Sequence, residues 1–215
     1  MRAKARGWEF NMIGLIKKDL FTLKKQIIIV IFFVAFYGAL SFAEPSNYSM
    51  FAYMITLFSI FVPITSLSYD DRSEWNKYAI SMPVTRKQLV YSKYLLSVLA
   101  IGLSGALCLV LSLLLDRNIT AESLVTIAAS LSIGLIFMSI NLPVNFKFGV
   151  EKSRFIILGL FGLPTVTIVI LSKANIPLPS EEFLIKLIRF LPFLAVALLI
   201  ISILVSISIV EKKEY

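Results

Sequence analysis

The sequence predicts an all-α, polytopic membrane protein of six spans, and three observations carry that prediction. Of 215 residues, 58% are hydrophobic and 16% charged, where a soluble domain has roughly 45–50% and about 25%. The apolar residues gather in six stretches, each near the ~17–25 residues that cross a hydrocarbon core. Finally, the 21 Lys and Arg, set against 13 Asp and Glu, concentrate in alternate connections. Inside a bilayer the backbone must satisfy its own polar groups within each stretch, so the spans are helices. A bundle of this length leaves little chain for a soluble catalytic module, and any soluble partner is expected to be a separate chain.

The first span is expected over Ile27 to Ala43 and the second over Ser49 to Tyr69. Tyr94 to Leu115, Leu124 to Phe146, Phe155 to Leu171 and Leu187 to Val210 follow. The first is short and preceded by basic residues, as in a secretory signal peptide. It is read as a retained span, because no small-residue cleavage site is followed by a soluble domain. Seventeen of the 21 basic residues fall before the first span, between Asp70 and Lys93, between Lys147 and Arg154, and in the tail. Arg117, Lys173, Lys186 and Arg189 alone lie on the other side. The positive-inside rule then puts both termini in the cytoplasm of a cell-membrane protein. The net charge of +8 is accounted for by topology, and no nucleic-acid partner is inferred from it.

Composition also excludes chemistry. The chain has no histidine, so His-based metal sites, Ser-His-Asp and Cys-His systems and His proton shuttles are absent. Cys108 is a lone cysteine in an apolar run and reads as a small buried hydrophobe. No span carries Asp, Glu, Lys or Arg at its centre, which argues against proton- or ion-coupled transport. The spans do carry Thr56, Ser59, Pro63, Thr65 and Ser66, then Ser139, Asn141, Pro143 and Asn145, then Pro164, Thr165 and Thr167. These make kinks and interhelical hydrogen bonds, or they line a sparsely polar path for an amphipathic substrate. Thr56, Ser59, Pro63, Asn141, Pro143 and Thr165 are the candidates for that path.

Ahead of the first span, MIGLIKKDLFTLKK at Met12 to Lys25 is amphipathic. Met12, Ile13, Ile16, Leu20 and Leu23 share one arc of a helix, while Lys17, Lys18, Lys24 and Lys25 share the other. Such a helix lies flat on the cytoplasmic surface with its lysines toward anionic headgroups, unless it is only a topology-fixing basic flank. Residues 1–11 add nothing periodic and are set apart as an N-terminal extension, with Met12 an alternative start and 12–215 the membrane domain.

After the second span comes DDRSEWNKYAISMPVTRKQLVYSK, too aromatic for a solvated linker. Trp75, Tyr78, Ala79 and Met82 fall on one face of a short helix that Pro83 ends. Thr85 and Gln88 form a capping-box pattern that starts the next helix. An aromatic knob in a charged rim is the anatomy of a protein-binding hot spot, and an aromatic belt on lipid headgroups is the competing reading. In the outer connection, Ser180 before Glu181 and Glu182 is an ordinary helix start. The paired glutamates suggest intramembrane CAAX-type proteases, a reading rejected for want of histidine.

MIGLIKKDL at Met12 to Leu20 and DDRSEWNKYAISMPVTRKQLVYSKY at Asp70 to Tyr94, within a six-span layout, resemble the permease subunits of ABC type-2 exporters. The likeness is to the small permeases of bacterial peptide and antimicrobial exporters. It implies an interfacial elbow helix carrying Ile16, Lys17, Lys18, Leu20, Lys24 and Lys25. It also implies a coupling helix that docks on an ATPase through Glu74, Trp75, Lys77, Tyr78, Met82, Pro83 and Arg86. No Walker pattern occurs in the chain, so ATP and magnesium would reside on a partner ATP-binding subunit, with two permeases, identical or not, completing the exporter. The chain itself is then no enzyme and holds no cofactor. A non-transporting scaffold or sensor that recruits a cytoplasmic partner is the alternative. A lipid-modifying or proteolytic membrane enzyme is disfavoured by the missing acid, base and metal clusters.

Overall fold

The computed structural model describes residues 2–44, 47–82, 84–116, 120–159, 162 and 181–213. Among these, every regular element is helical. Helix α1 (Arg2–Thr22) leads into α2 (Lys24–Ala43), then α3 (Tyr48–Arg72), the short α4 (Trp75–Ser81), α5 (Arg86–Asp116) and α6 (Ala121–Phe148). A further helix, α7, is described over 150–159, and α8 (Glu181–Lys212) closes the chain.

Five described helices are long and apolar enough to cross a membrane: Lys24–Ala43, Tyr48–Arg72, Arg86–Leu115, Ser123–Phe148 and Ile188–Lys212. They contain the first, second, third and fourth expected spans and nearly all of the sixth. The expected fifth span, Phe155 to Leu171, is helical through residue 159 and at 162, and the rest lies outside the described residues. Pro83, Pro164, Thr165, Thr167 and Ser180 lie outside them too.

Local chemistry sets three of the helix ends. The Thr85 hydroxyl accepts from the Gln88 amide at 3.3 Å while Gln88 Oε1 accepts from the Thr85 amide at 2.8 Å. This reciprocal capping box starts α5 one turn ahead of the apolar run. Thr120 accepts from the Ser123 amide at the head of α6. Gly149, at φ +79°, turns the chain from α6 into α7 in a conformation that a side chain would strain. The amphipathic segment is not a separate helix beginning at Met12, because α1 is helical from Arg2. A single residue, Leu23, breaks the helical run between α1 and α2.

The core runs along the bundle in two clusters. Ile60, Leu67, Val90, Tyr94, Met138, Leu142 and Val210 join α3, α5, α6 and α8. Phe51, Ile55, Cys108, Leu111 and Ile127 join α3, α5 and α6. Contact between α3 and α6 is close: a Cβ added at Gly134 would stand 2.8 Å from Thr56 Cγ2, the small-residue packing that brings membrane helices together. Outward-facing side chains are strongly apolar, with Phe32, Phe36, Leu103, Phe190, Phe193 and Leu204 at least half exposed. That is a surface for acyl chains, not for water.

Candidate functional site

At one end of the bundle, α1, α3, α4 and α5 meet around charge. Asp19 lies four residues after Leu15 and four before Leu23, so all three share one face of the helical run, and all three are buried. This face packs against α5 and α3. There, Lys93 Nζ donates to Asp19 Oδ1 at 2.8 Å and Oδ2 at 2.9 Å, and pairs with Asp70 Oδ2 at 2.6 Å. It also donates to the Ser66 hydroxyl at 2.6 Å. Lys18 Nζ donates to Asp70 Oδ1 at 2.5 Å and lies 3.0 Å from Asp19 Oδ1. Two ammonium groups and two carboxylates form a charge-balanced cluster, with Asp19 1%, Lys93 4% and Asp70 6% exposed. Buried charges persist only when paired and hydrogen-bonded, and here each is.

Helix α4 sits on this cluster. Trp75 packs against the cluster of Leu15, Ala79 and Leu89, as Val84 does, and Lys18 lies 4.5 Å over its ring, a cation–π contact of about 1 kcal/mol. The sequence places Trp75, Tyr78, Ala79 and Met82 on one face; the structure divides them. Trp75 and Ala79 face inward, whereas Tyr78 is 62% and Met82 45% exposed. Ala79, wholly buried, is small enough to let the helix approach its neighbours. Beside Tyr78 the Glu74–Lys77 pair, at 2.8 Å, stands in the open. Glu74 holds a left-handed backbone at φ +50°, rare for a side chain of its kind, and turns the chain sharply from α3 into α4.

Other charged groups tie the same ends of the helices together. Arg86 Nη1 donates to the carbonyls of Glu211 at 2.7 Å and Lys213 at 3.0 Å, at the C-terminal pole of α8, where a cation complements the helix dipole. Arg86, expected on the docking surface, thus joins the start of α5 to the end of α8. Lys213 Nζ donates to the Phe146 carbonyl at the end of α6, and Asp71 Oδ2 accepts from the Val150 amide at the start of α7.

The residues proposed from sequence for an interfacial surface divide as well. Lys17, Leu20, Lys24 and Lys25 are exposed, and Ile16 lines a groove with Leu20. Lys18, expected to face headgroups, is instead drawn into the ionic cluster by the two aspartates.

The path candidates do not converge. Asn141 lines a cavity of about 940 Å³ between α3, α6 and α7. Thr56 lines a smaller one of about 380 Å³ on the same side. Ser59 lines a groove on the opposite side, bounded by α2 and α5. Pro63 is buried and Pro143 half-buried, in α3 and α6. The cluster of Asp19, Ser66, Asp70 and Lys93 escaped the sequence reading. One signal was present: Asp19 is the sole acid between Met12 and Lys25, in an apolar row spaced by four.

A family model described as ABC-2 family transporter protein matches residues 14–211, taking in all five crossing helices and the cluster. The chain belongs to this family. Among curated proteins none matches the chain. In this ABC-2 membrane protein, the long helices α3 and α5 flank α4, and the buried charges lie directly behind it.

Proposed function

We propose that this chain is the permease subunit of an ABC exporter, moving an amphipathic substrate across the cell membrane under the drive of a separate ATPase subunit. Six spans, both termini in the cytoplasm and a pair of permeases complete the reading. The observation that carries it is α4, a short helix with Trp75 and Ala79 seated against α1 and α5 and with Tyr78 and Met82 turned outward. Its exposed face is apolar and aromatic within a charged rim, the make-up of a docking hot spot. Its inner face touches a rigid ionic joint shared by α1, α3 and α5.

The mechanism follows from that seating. Closure of the ATP-loaded partner displaces α4. Trp75 and Lys18 pass the displacement to Asp19 and Asp70, and Lys93 carries it into α5. Because a packed interface shifts between discrete arrangements and does not deform continuously, α1, α3 and α5 move as a unit against α6 and α8. ATP and magnesium act on the partner, and this chain supplies the docking surface and the path.

The test is co-purification with the ATPase subunit. Tyr78→Ala with Met82→Ala removes the outward anchors and is expected to weaken ATPase binding roughly thirtyfold or more, ~2 kcal/mol, while the chain stays monodisperse. Undiminished ATPase recovery by that variant would overturn the docking assignment.

A further inference from the structure

The 940 Å³ cavity is charged at one end and apolar at the other. Of its described lining residues two are charged, Arg72 at the end of α3 and Arg154 in the second turn of α7, and none is a carboxylate. Six other cations at this end are committed: Lys18 and Lys93 to aspartates, Lys77 to Glu74, Lys87 to Glu211, Arg86 and Lys213 to carbonyls. Lys17, Lys24, Lys25, Lys147, Lys152 and Lys212 do not line the cavity. Arg72 and Arg154 have no ion-pair or hydrogen-bond partner among the described residues. Tyr69 and Asn145 stand near them in the lining, and Phe61, Ile64, Phe137 and Leu158 make its apolar part. From Arg72 to Phe61 the helix rises ~16 Å, close to the ~15 Å of hydrocarbon in one leaflet. Phe61 and Phe137 also line the 380 Å³ cavity, so the apolar track runs on past them.

Two unpaired guanidiniums suit a phosphate, which they can grip in bidentate fashion. Basic pockets between membrane helices on the cytoplasmic side suit anionic lipid headgroups. We propose that this cavity seats an anionic glycerophospholipid of the cytoplasmic leaflet, its phosphate between Arg72 and Arg154 and its acyl chains along Phe61 and Phe137. The leaflet assignment rests on the permease topology given above, and the proposal names the class of amphiphile that the cavity admits. Glu151 and Lys152 lie beside Arg72 in an adjoining pocket and offset one another. Asp71, also there, keeps its charge while accepting from the Val150 amide, and with Arg154 the three cations outnumber the two acids, so the rim stays net positive.

The experiment uses the purified full chain in neutral detergent and measures retention of phosphatidylglycerol and phosphatidylcholine with identical acyl chains by native mass spectrometry. Phosphatidylglycerol is expected to bind at least tenfold more tightly. Arg72→Gln with Arg154→Gln should bring the two lipids within twofold, whereas Lys24→Gln with Lys25→Gln, an equal loss of charge at the start of α2, should keep the preference. If the arginine pair does not stay monodisperse, Arg154→Gln alone, on an exposed position, should cut the preference at least threefold. Equal binding of both lipids by the native chain overturns the proposal, as does an equal loss in the lysine pair. Displacement of phosphatidylglycerol by millimolar inorganic phosphate would show a free-anion site and overturn the lipid assignment. No ATPase is present in this assay, so its failure leaves the docking reading untouched, and failed ATPase recovery leaves this one untouched.

Discussion

Removing the ammonium of Lys93 is the sharpest perturbation of the joint behind α4. In Lys93→Met the stem keeps its packing but the buried site falls from neutral to one net negative charge, with Asp19 and Asp70 sharing only Lys18. Both carboxylates are nearly inaccessible, so solvent offers little screening. Breaking a buried ion pair by removing one partner costs about 3–5 kcal/mol, and 3 kcal/mol already lowers the folded-to-unfolded ratio by roughly 150-fold. Asp19→Leu should cost a similar amount with the opposite residual charge. The double variant Asp19→Leu with Lys93→Met restores neutrality, leaving Lys18 and Asp70 paired at 2.5 Å, and is expected to be more stable than either single variant. Equilibrium unfolding of the detergent-solubilised chain, read by tryptophan fluorescence, supplies the three free energies. Costs that simply add in the double variant, or single losses below about 1 kcal/mol, would refute the idea that charge balance holds this joint together.

Other perturbations have distinct signatures. Trp75→Ala should destabilise the chain by up to about 3 kcal/mol, since its ring packs against α1 and α5, and thermal unfolding without any ATPase present measures it. Arg86→Ala should release the end of α8 and cost about 1–2 kcal/mol through lost charge-assisted hydrogen bonds, seen as faster amide exchange over residues 207–212. Gly134→Leu should force α3 and α6 apart at Thr56 and cost about 1–3 kcal/mol as overpacking, checked by the same unfolding assay. Single cysteines at Asn47 and Asn175 should react with an impermeant thiol reagent in intact cells while one at Asn76 should not, and the reverse pattern would invert the topology.

The fold is most legible in the sequence where the physics is local. Apolar run length marks the crossing helices, and Thr85 with Gln88 announces the start of α5 because a capping box needs only four residues. It is least legible where partners are remote. Lys93 and Asp19 are 74 positions apart, and nothing in their neighbourhoods says that an acid and a base will meet out of water. The stripe of Trp75, Tyr78, Ala79 and Met82 reads as one surface because a helix pattern reports a face but not its far side. Only the tertiary seat shows that Trp75 and Ala79 belong to the interior while Tyr78 and Met82 do not.

Among the described helices of 25 residues or more, α3, α6 and α8 each contain a proline, at Pro63, Pro143 and Pro192; α5 does not. Proline removes a backbone hydrogen bond and lets a helix flex at that point. Those three rods can absorb a push by bending at a proline, and α5 has no such point. At 31 residues it is ~46 Å long, so a tilt of about 5° at Arg86 swings Asp116 by roughly 4 Å. The one long described helix without a proline is thus the one whose near end holds Lys93 and the capping box, and a small rotation beside α4 would become a stroke of atomic size at the opposite end.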